Sequence, residues 1–306
     1  MKLIYLATAL TLLVAATAFW LWTPDRDLKS LEATYLRSVA DRIDVDGQSL
    51  HLRDDGPRDA PAVILLHGLG ASLHTWEPWA RELEGEFRVI RVDLPGSGLS
   101  PPDVAGDYRD ARSLHLLLAL MDQLGLQRAS LVGHSVGGRL AWSFAARYPQ
   151  RVDKLVLVSP DGFASPGFEY GKAPEVPAVL GLMRVALPKA VLRMNLAPAY
   201  ADPSALSDTL LERYHDLLRA PGAREAMLQR MRQTVLQDPL PLLKQIQAPT
   251  LLLWGEQDAM IPVANAADYL NALPKATLVR LPALGHVPQE EDPVRSLAPL
   301  RAFLRG

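Results

Sequence analysis

Ala129-Ser130-Leu131-Val132-Gly133-His134-Ser135-Val136-Gly137-Gly138-Arg139 is the stretch whose reading decides the fold. Ala129 to Val132 is a short apolar run of the kind that forms a buried parallel strand, and Arg139 to Arg147 has helical spacing. Between them stands Gly-X-Ser-X-Gly, with Gly133 and Gly137 flanking Ser135. A chain that turns so sharply from strand to helix leaves no room for larger side chains, and the turn lifts the serine hydroxyl above the sheet. A serine that merely caps a helix is the competing reading. The strand before it and the helix after it favour a nucleophile.

Working outward, Ala62 to Leu66, Arg88 to Val92, Leu155 to Val158, Thr250 to Trp254 and Thr277 to Leu281 are further short apolar runs. Helical stretches around Trp76 to Leu83 and Ala111 to Leu124 separate the early ones. This alternation predicts a doubly wound, mostly parallel α/β sheet. From Arg42 the period is two, and Asp46-Gly47 between apolar alternations predicts a hairpin, so the sheet has an antiparallel start. Strand and helix stop alternating between residues 161 and 247. There the chain offers Pro-punctuated helical segments, Ser204 to Arg219 with a serine cap and Ala223 to Gln237, which read as a helical lid on a core of residues 42–160 and 248–306. Met183, Met194, Met227 and Met231 fall in it. Methionine suits adaptable apolar surfaces, so these four are candidates for an acyl pocket, with ordinary packing as the alternative for each.

The 306 residues, at roughly 150 per domain, fit one large α/β domain with an insertion. With 49% hydrophobic and 22% charged residues the chain can bury a sizeable core, which excludes disorder. Thirty-two Lys and Arg against 34 Asp and Glu leave no basic excess for a phosphate backbone, so nucleic acid is not an expected partner. The absence of cysteine excludes disulfides, cysteine nucleophiles and zinc–cysteine sites.

Residues 1–24 depart from an ordinary soluble domain. Leu3 to Trp22 carries no charge and would reach about 30 Å as a helix, the thickness of a bilayer core. A cleaved signal is the rival reading, because Lys2 precedes the run and Ala16-Thr17-Ala18 is small. The run continues through Phe19, Trp20 and Trp22, where an interfacial aromatic belt would stand. The expectation is a membrane anchor, with the folded domain outside the cytoplasm of a bacterial inner membrane. A connector, residues 25–41, follows; Leu28, Leu31, Tyr35 and Leu36 recur at helical spacing and would rest on the membrane or on the domain.

A serine hydroxyl needs a base, and the base needs an orienting carboxylate, in the order serine, acid, histidine for this strand-to-helix turn. Of the seven histidines, only His286 lies past the last expected strand. Asp258, after the strand ending at Trp254, is the expected acid, and Asp161, after the strand ending at Val158, is its rival. Two backbone donors should face the charge developing on the acyl oxygen: the amide of Val136 and one from the loop His67-Gly68-Leu69-Gly70, with Leu69 favoured. His67 and His134 read as structural.

Together His67-Gly68-Leu69-Gly70, Asp93-Leu94-Pro95-Gly96-Ser97-Gly98-Leu99-Ser100, Gly133-His134-Ser135-Val136-Gly137-Gly138, Gly255-Glu256-Gln257-Asp258 and Gly285-His286 resemble the α/β-hydrolase fold, specifically its lid-bearing serine esterases and lipases. With the N-terminal span the chain is similar to membrane-anchored monoacylglycerol lipases and bacterial carboxylesterases. The resemblance implies attack by Ser135, an acyl-enzyme and water as second acceptor, with His286 as shuttle and Asp258 as orienter. It implies a small-molecule or lipid ester with a short to medium acyl chain, and neither metal nor cofactor. Serine at position 135 argues against relatives with an aspartate nucleophile. Carbon–carbon bond hydrolases share the serine triad, although Val287-Pro288 stands where they carry an aromatic residue beside the histidine. A non-enzymatic ligand receptor with an intact triad is the third class, because fold alone does not fix function.

Overall fold

A computed structural model describes residues 2–163 and 169–306; residues 164–168 of the insertion and the side chains at 2–4, 7, 9, 14, 15, 17 and 18 lie outside that description. Eight strands form one sheet: β1 (Arg42–Val45), β2 (Gln48–Asp55), β3 (Ala62–Leu66), β4 (Arg88–Val92), β5 (Ala129–His134), β6 (Val152–Val158), β7 (Thr250–Gly255) and β8 (Ala276–Leu281), in the spatial order β1-β2-β4-β3-β5-β6-β7-β8. The hairpin turns through Asp46 and Gly47, whose φ values of 53° and 74° are what a two-residue type I′ turn requires. β1 and β2 are antiparallel to each other, β2 is antiparallel to β4, and every later pairing is parallel.

The helices are α1 (Lys2–Leu21), α2 (Leu28–Tyr35), α3 (Glu77–Leu83), α4 (Asp110–Gln123), α5 (Val136–Arg147), α6 (Lys189–Leu196), α7 (Asp208–Leu218), α8 (Ala223–Gln233), α9 (Leu240–Leu243), α10 (Ala266–Ala272), α11 (Pro288–Glu291) and α12 (Pro293–Arg305). Strand side chains alternate between two helical layers, which is why β3 is buried throughout. Ile64, Leu131 and Leu252 pack with Trp142, Phe144 and Tyr269, while Val63, Val132 and Leu253 face Trp76, Trp79 and Leu300.

The stretch between β6 and β7 holds α6 to α9 and several short 3₁₀ turns. Two of its boundaries differ from the sequence reading. Ser204 lies in a 3₁₀ turn that begins at Pro203 and is capped by Asp202; α7 starts only at Asp208, where Ser207 Oγ accepts from the Leu210 amide. α8 ends at Gln233 instead of continuing to Gln237, and Thr234 instead returns its hydroxyl to the Arg230 carbonyl.

The connector rests on the domain. Leu31 of α2 is fully buried with Leu99, Leu217, Ala220 and Ala223. Tyr35 Oη donates to Asp216 at 3.0 Å, and Arg26 pairs with the same carboxylate. Upstream, the Thr23 amide donates to the Val185 carbonyl at 2.7 Å, and Arg224 Nη1 donates to the carbonyls of Thr23 and Met183. α1 leaves this junction with every described side chain exposed or half-buried, Trp20 at 80%. Among the described residues no helix is long and apolar enough to cross a membrane; several side chains of Leu3 to Trp22, the run expected to cross, lie outside the described residues.

Arg224 is 3% exposed and also binds Asp25, so Arg224→Ala strips two carbonyls and a carboxylate of their donor. It is expected to cost roughly 2–3 kcal/mol in urea unfolding and to speed tryptic cleavage after Arg184. Unchanged stability and cleavage would show that the junction does not hold the inserted segment.

Candidate functional site

Ser135 sits at the C-terminal end of β5, on the first residue before α5, with φ 53° and ψ −119°. Such a backbone is strained for a residue with a side chain, and its neighbours hold it there. The Ser135 amide donates to the Val158 carbonyl, and its own carbonyl accepts from the amides of Arg139 and Asp161, all at 3.0 Å. A Cβ on Gly133 would stand 2.2 Å from the Gly137 carbonyl oxygen, and one on Gly137 would stand 2.2 Å from that of Leu66. Only glycine permits this crossing of β5, α5 and the end of β3.

His286 lies on the loop after β8, and its Nδ1 is 2.8 Å from Asp258 Oδ2, both side chains being buried. The other oxygen of Asp258 accepts from the amides of Met260 and Ile261 at 2.9 and 2.8 Å. With Nδ1 committed to the carboxylate, His286 keeps Nε2 free to carry a proton. Asp161 is placed elsewhere. It pairs with buried Arg139, which also grips Asp110 with two bonds.

The loop after β3 reaches Ser135 from the other side. A Cβ on Gly68 would lie 3.3 Å from Ser135 Cβ, and the Leu69 that follows is 40% exposed. Val136 is the first residue of α5, so its amide has no acceptor within the helix. Val136 thus adjoins the serine in the chain, and the loop that carries Leu69 meets it at Gly68. Of the four methionines, Met227 alone is brought to this loop: its sulfur would be 3.6 Å from a Cβ on Gly70, across a cleft also lined by Leu69, Leu217 and Leu218. Met183 and Met231 are half-buried, and Met194 is 70% exposed on the outer side of α6. For Met194 the pocket expectation is corrected, because α6 buries only Leu192 and turns Met194 outward.

His67 and His134 are structural neighbours. His67 Nδ1 donates to the Gly68 carbonyl at 2.8 Å while its Nε2 accepts the Leu94 amide at 3.1 Å, so both nitrogens are used. His134 Nε2 donates to the His286 carbonyl at 2.8 Å, and the two rings lie 4.7 Å apart. Sequence reasoning missed a further support. Glu290, four residues after His286, accepts from Tyr200 Oη at 2.8 Å and Tyr214 Oη at 3.0 Å, and pairs with Arg213. The His286 amide donates to the Ala199 carbonyl at 2.7 Å. The histidine loop is therefore pinned to the inserted segment on both sides, a tertiary pairing with no local sequence signal.

For a metal, Glu212, His215 and Asp216 on α7 bring ligand atoms within 4.8 Å of one another. Asp216 Oδ2 is held by Arg26 and Tyr35, Glu212 pairs with Lys189, and His215 Nε2 donates to the Leu187 carbonyl, whereas His215 Nδ1 and Asp216 Oδ1 are buried with no hydrogen-bond partner among the described residues.

The match to the alpha/beta hydrolase fold family model runs over residues 61–293, most of the chain. The chain belongs to the α/β-hydrolase family. It is 31% identical over 250 residues to the 2-hydroxy-6-oxo-6-phenylhexa-2,4-dienoate hydrolase of Burkholderia cepacia, covering 79% of this chain and 86% of that one. Among solved structures, a bacterial membrane phospholipase A aligns over 100% of this chain and 99% of its own with TM-score 0.74 and 26% identity. The enol-lactonase of Burkholderia xenovorans LB400 aligns over 87% and 100% with TM-score 0.75 and 25% identity. This α/β hydrolase is accordingly a hydrolase, with relatives that act on different bonds.

Around the site, this α/β hydrolase buries neutral imidazoles. Burial pushes His67 and His134 below the ordinary imidazole value and His74 down to about 3. Protonation of such groups favours the unfolded chain, so the stability they permit is full above about pH 6.5 and falls as pH drops from there toward about 3. Urea midpoints measured from pH 8 to pH 4 should decline below about 6.5, and His74→Gln should flatten part of that slope. A midpoint independent of pH across this range would contradict the burial of these rings.

Proposed function

We propose that this α/β hydrolase cleaves carboxylic esters through an acyl-enzyme on Ser135. The observation that carries the reading is the buried 2.8 Å bond between His286 and Asp258 on the same sheet edge as the strained Ser135. His286 takes the Ser135 proton as the hydroxyl attacks the carbonyl, then returns it to the departing alcohol; Asp258 holds the ring and stabilises the imidazolium. The amides of Leu69 and Val136 receive the oxyanion. Water then attacks the acyl-enzyme with His286 again as base, giving the acid and free serine. Residues 161–247 act as the lid, with Met227 on the acyl wall. The substrate is an amphiphilic ester of short to medium chain, such as a monoacylglycerol, and the protein meets it at a membrane through α1, the catalytic domain lying outside the cytoplasm. Alignment with the membrane phospholipase over the whole chain, α1 included, supports this localisation.

A second reading, hydrolysis of a carbon–carbon bond, is favoured by the similarity to the dienoate hydrolase. Both chemistries use Ser135 and His286, so substrates must decide between them. Monoacylglycerols and chromogenic esters should turn over at least about tenfold faster, in kcat/KM, than 2-hydroxy-6-oxo-6-phenylhexa-2,4-dienoate. The reverse order would establish the second reading.

Residue roles are tested separately. Ser135→Ala and His286→Ala should each lower turnover by about 10³-fold or more, and Asp258→Asn by orders of magnitude, whereas Asp161→Asn should act mainly on stability through Arg139. A larger loss of turnover for Asp161→Asn than for Asp258→Asn would move the acid to position 161.

A further inference from the structure

The inserted segment carries an apolar ridge that no core covers. In the 3₁₀ turn Ala178–Arg184 and the residue after it, Val179, Leu182 and Val185 are 65%, 61% and 52% exposed, and Val191 and Met194 continue the exposure along α6. The charged groups beside them are neutralised in pairs, Arg184 with Glu225 and Lys189 with Glu212. Large apolar side chains bunched in this way mark an interaction surface, whereas scattered ones do not.

The occupant is indicated by what the ridge is joined to. Trp22 and Ala186 form an antiparallel bridge, and the Leu187 amide donates to Thr23 Oγ1 at 3.1 Å, so the C-terminal end of α1 is fixed against the ridge. On α1 itself Leu6, Leu10, Leu12, Leu13, Phe19 and Trp20 are exposed. No residue of α1 after Lys2 is charged, and a protein partner would leave a polar face on the helix, whereas a lipid phase requires none. Tryptophans at the helix end, Trp20 and Trp22, sit where a bilayer interface would place them. We propose that residues 179–194 form a second lipid contact, lying in the headgroup–acyl boundary of a bilayer beside the end of α1. This rests on the membrane association proposed above. The ridge belongs to the segment that is bonded to the His286 loop at Ala199 and Glu290, so lipid contact holds that segment, and the loop with it, against the phase that contains the substrate.

The chain has no cysteine, so a single introduced thiol carries the only label. The full-length protein in phosphatidylcholine–phosphatidylglycerol vesicles, labelled with an environment-sensitive fluorophore at Leu12→Cys, Leu182→Cys, Val185→Cys or Lys275→Cys, is challenged with bromine-bearing lipids. Quenching at 12, 182 and 185, and none at 275 on the opposite end of the sheet, is expected. Quenching at 12 without quenching at 182 and 185 overturns the ridge while leaving α1 in the membrane; absence at all positions overturns both. A blue shift at 182 that appears with protein concentration in detergent without vesicles makes the ridge a contact between copies and likewise overturns the proposal. Val179→Glu with Leu182→Glu should slow hydrolysis of vesicle-borne monoacylglycerol by about tenfold and leave a soluble ester unaffected. Equal rates on vesicles would count against the lipid contact, and the fluorescence readout stands even if the ester reading fails.

Discussion

A backbone that turns from strand to helix in one residue sets the terms for everything around Ser135. Its positive φ is sustained by three backbone bonds, to the end of β6, to α5 and to Asp161. The close crossing also demands Gly133 and Gly137, because either Cβ would enter a carbonyl oxygen. The same closeness puts the start of α5 against the end of β3, where the loop that carries Leu69 begins.

The histidine loop obeys a similar constraint. A Cβ on Gly255 would lie 2.1 Å from the Gly285 carbonyl, and one on Gly285 would lie 2.6 Å from the Ala199 carbonyl. The end of β7, the His286 loop and the inserted segment therefore meet backbone to backbone, with Asp258 reaching the ring from a turn whose amides fix its other oxygen. His134 and Glu290 hold this loop from below and from the insertion. Because Tyr200, Tyr214 and Arg213 all converge on Glu290, movement of α7 would be felt at His286 through a short, buried polar path.

Much of this was legible in the sequence, and the reason is local. The buried strand runs, the Asp46-Gly47 hairpin and Gly-X-Ser-X-Gly are patterns whose physical requirement lies within a few residues. Chain order pointed to His286 and left Asp258 with Asp161 as its rival, and it is the structure that pairs Asp258 with the ring. What was not legible depended on distant partners. Ser204 has the composition of a helix cap, yet Pro203 and Asp202 close a separate turn and leave the cap to Ser207. Met194 has the composition of a pocket wall, but the face of α6 that packs is the one bearing Leu192. Whether the connector lay on lipid or protein was undecided until Leu31 and Tyr35 met α7.

That last contact changes how the N-terminus relates to the site. Asp216 of α7 receives both Arg26 and Tyr35 of the connector, and three residues earlier on the same helix Arg213 binds Glu290 of the histidine loop. Residues three apart are neighbours on a helix surface, so α7 holds the connector and the histidine loop at adjacent positions through two different side chains. Both junctions are ion pairs and hydrogen bonds at least partly shielded from water, where such bonds are costly to leave unmade. A force on the end of α1 therefore reaches α8 through Thr23 and Asp25 and α7 through Arg26, and α7 passes it to the loop that carries His286, so the N-terminal helix and that loop are parts of one connected framework.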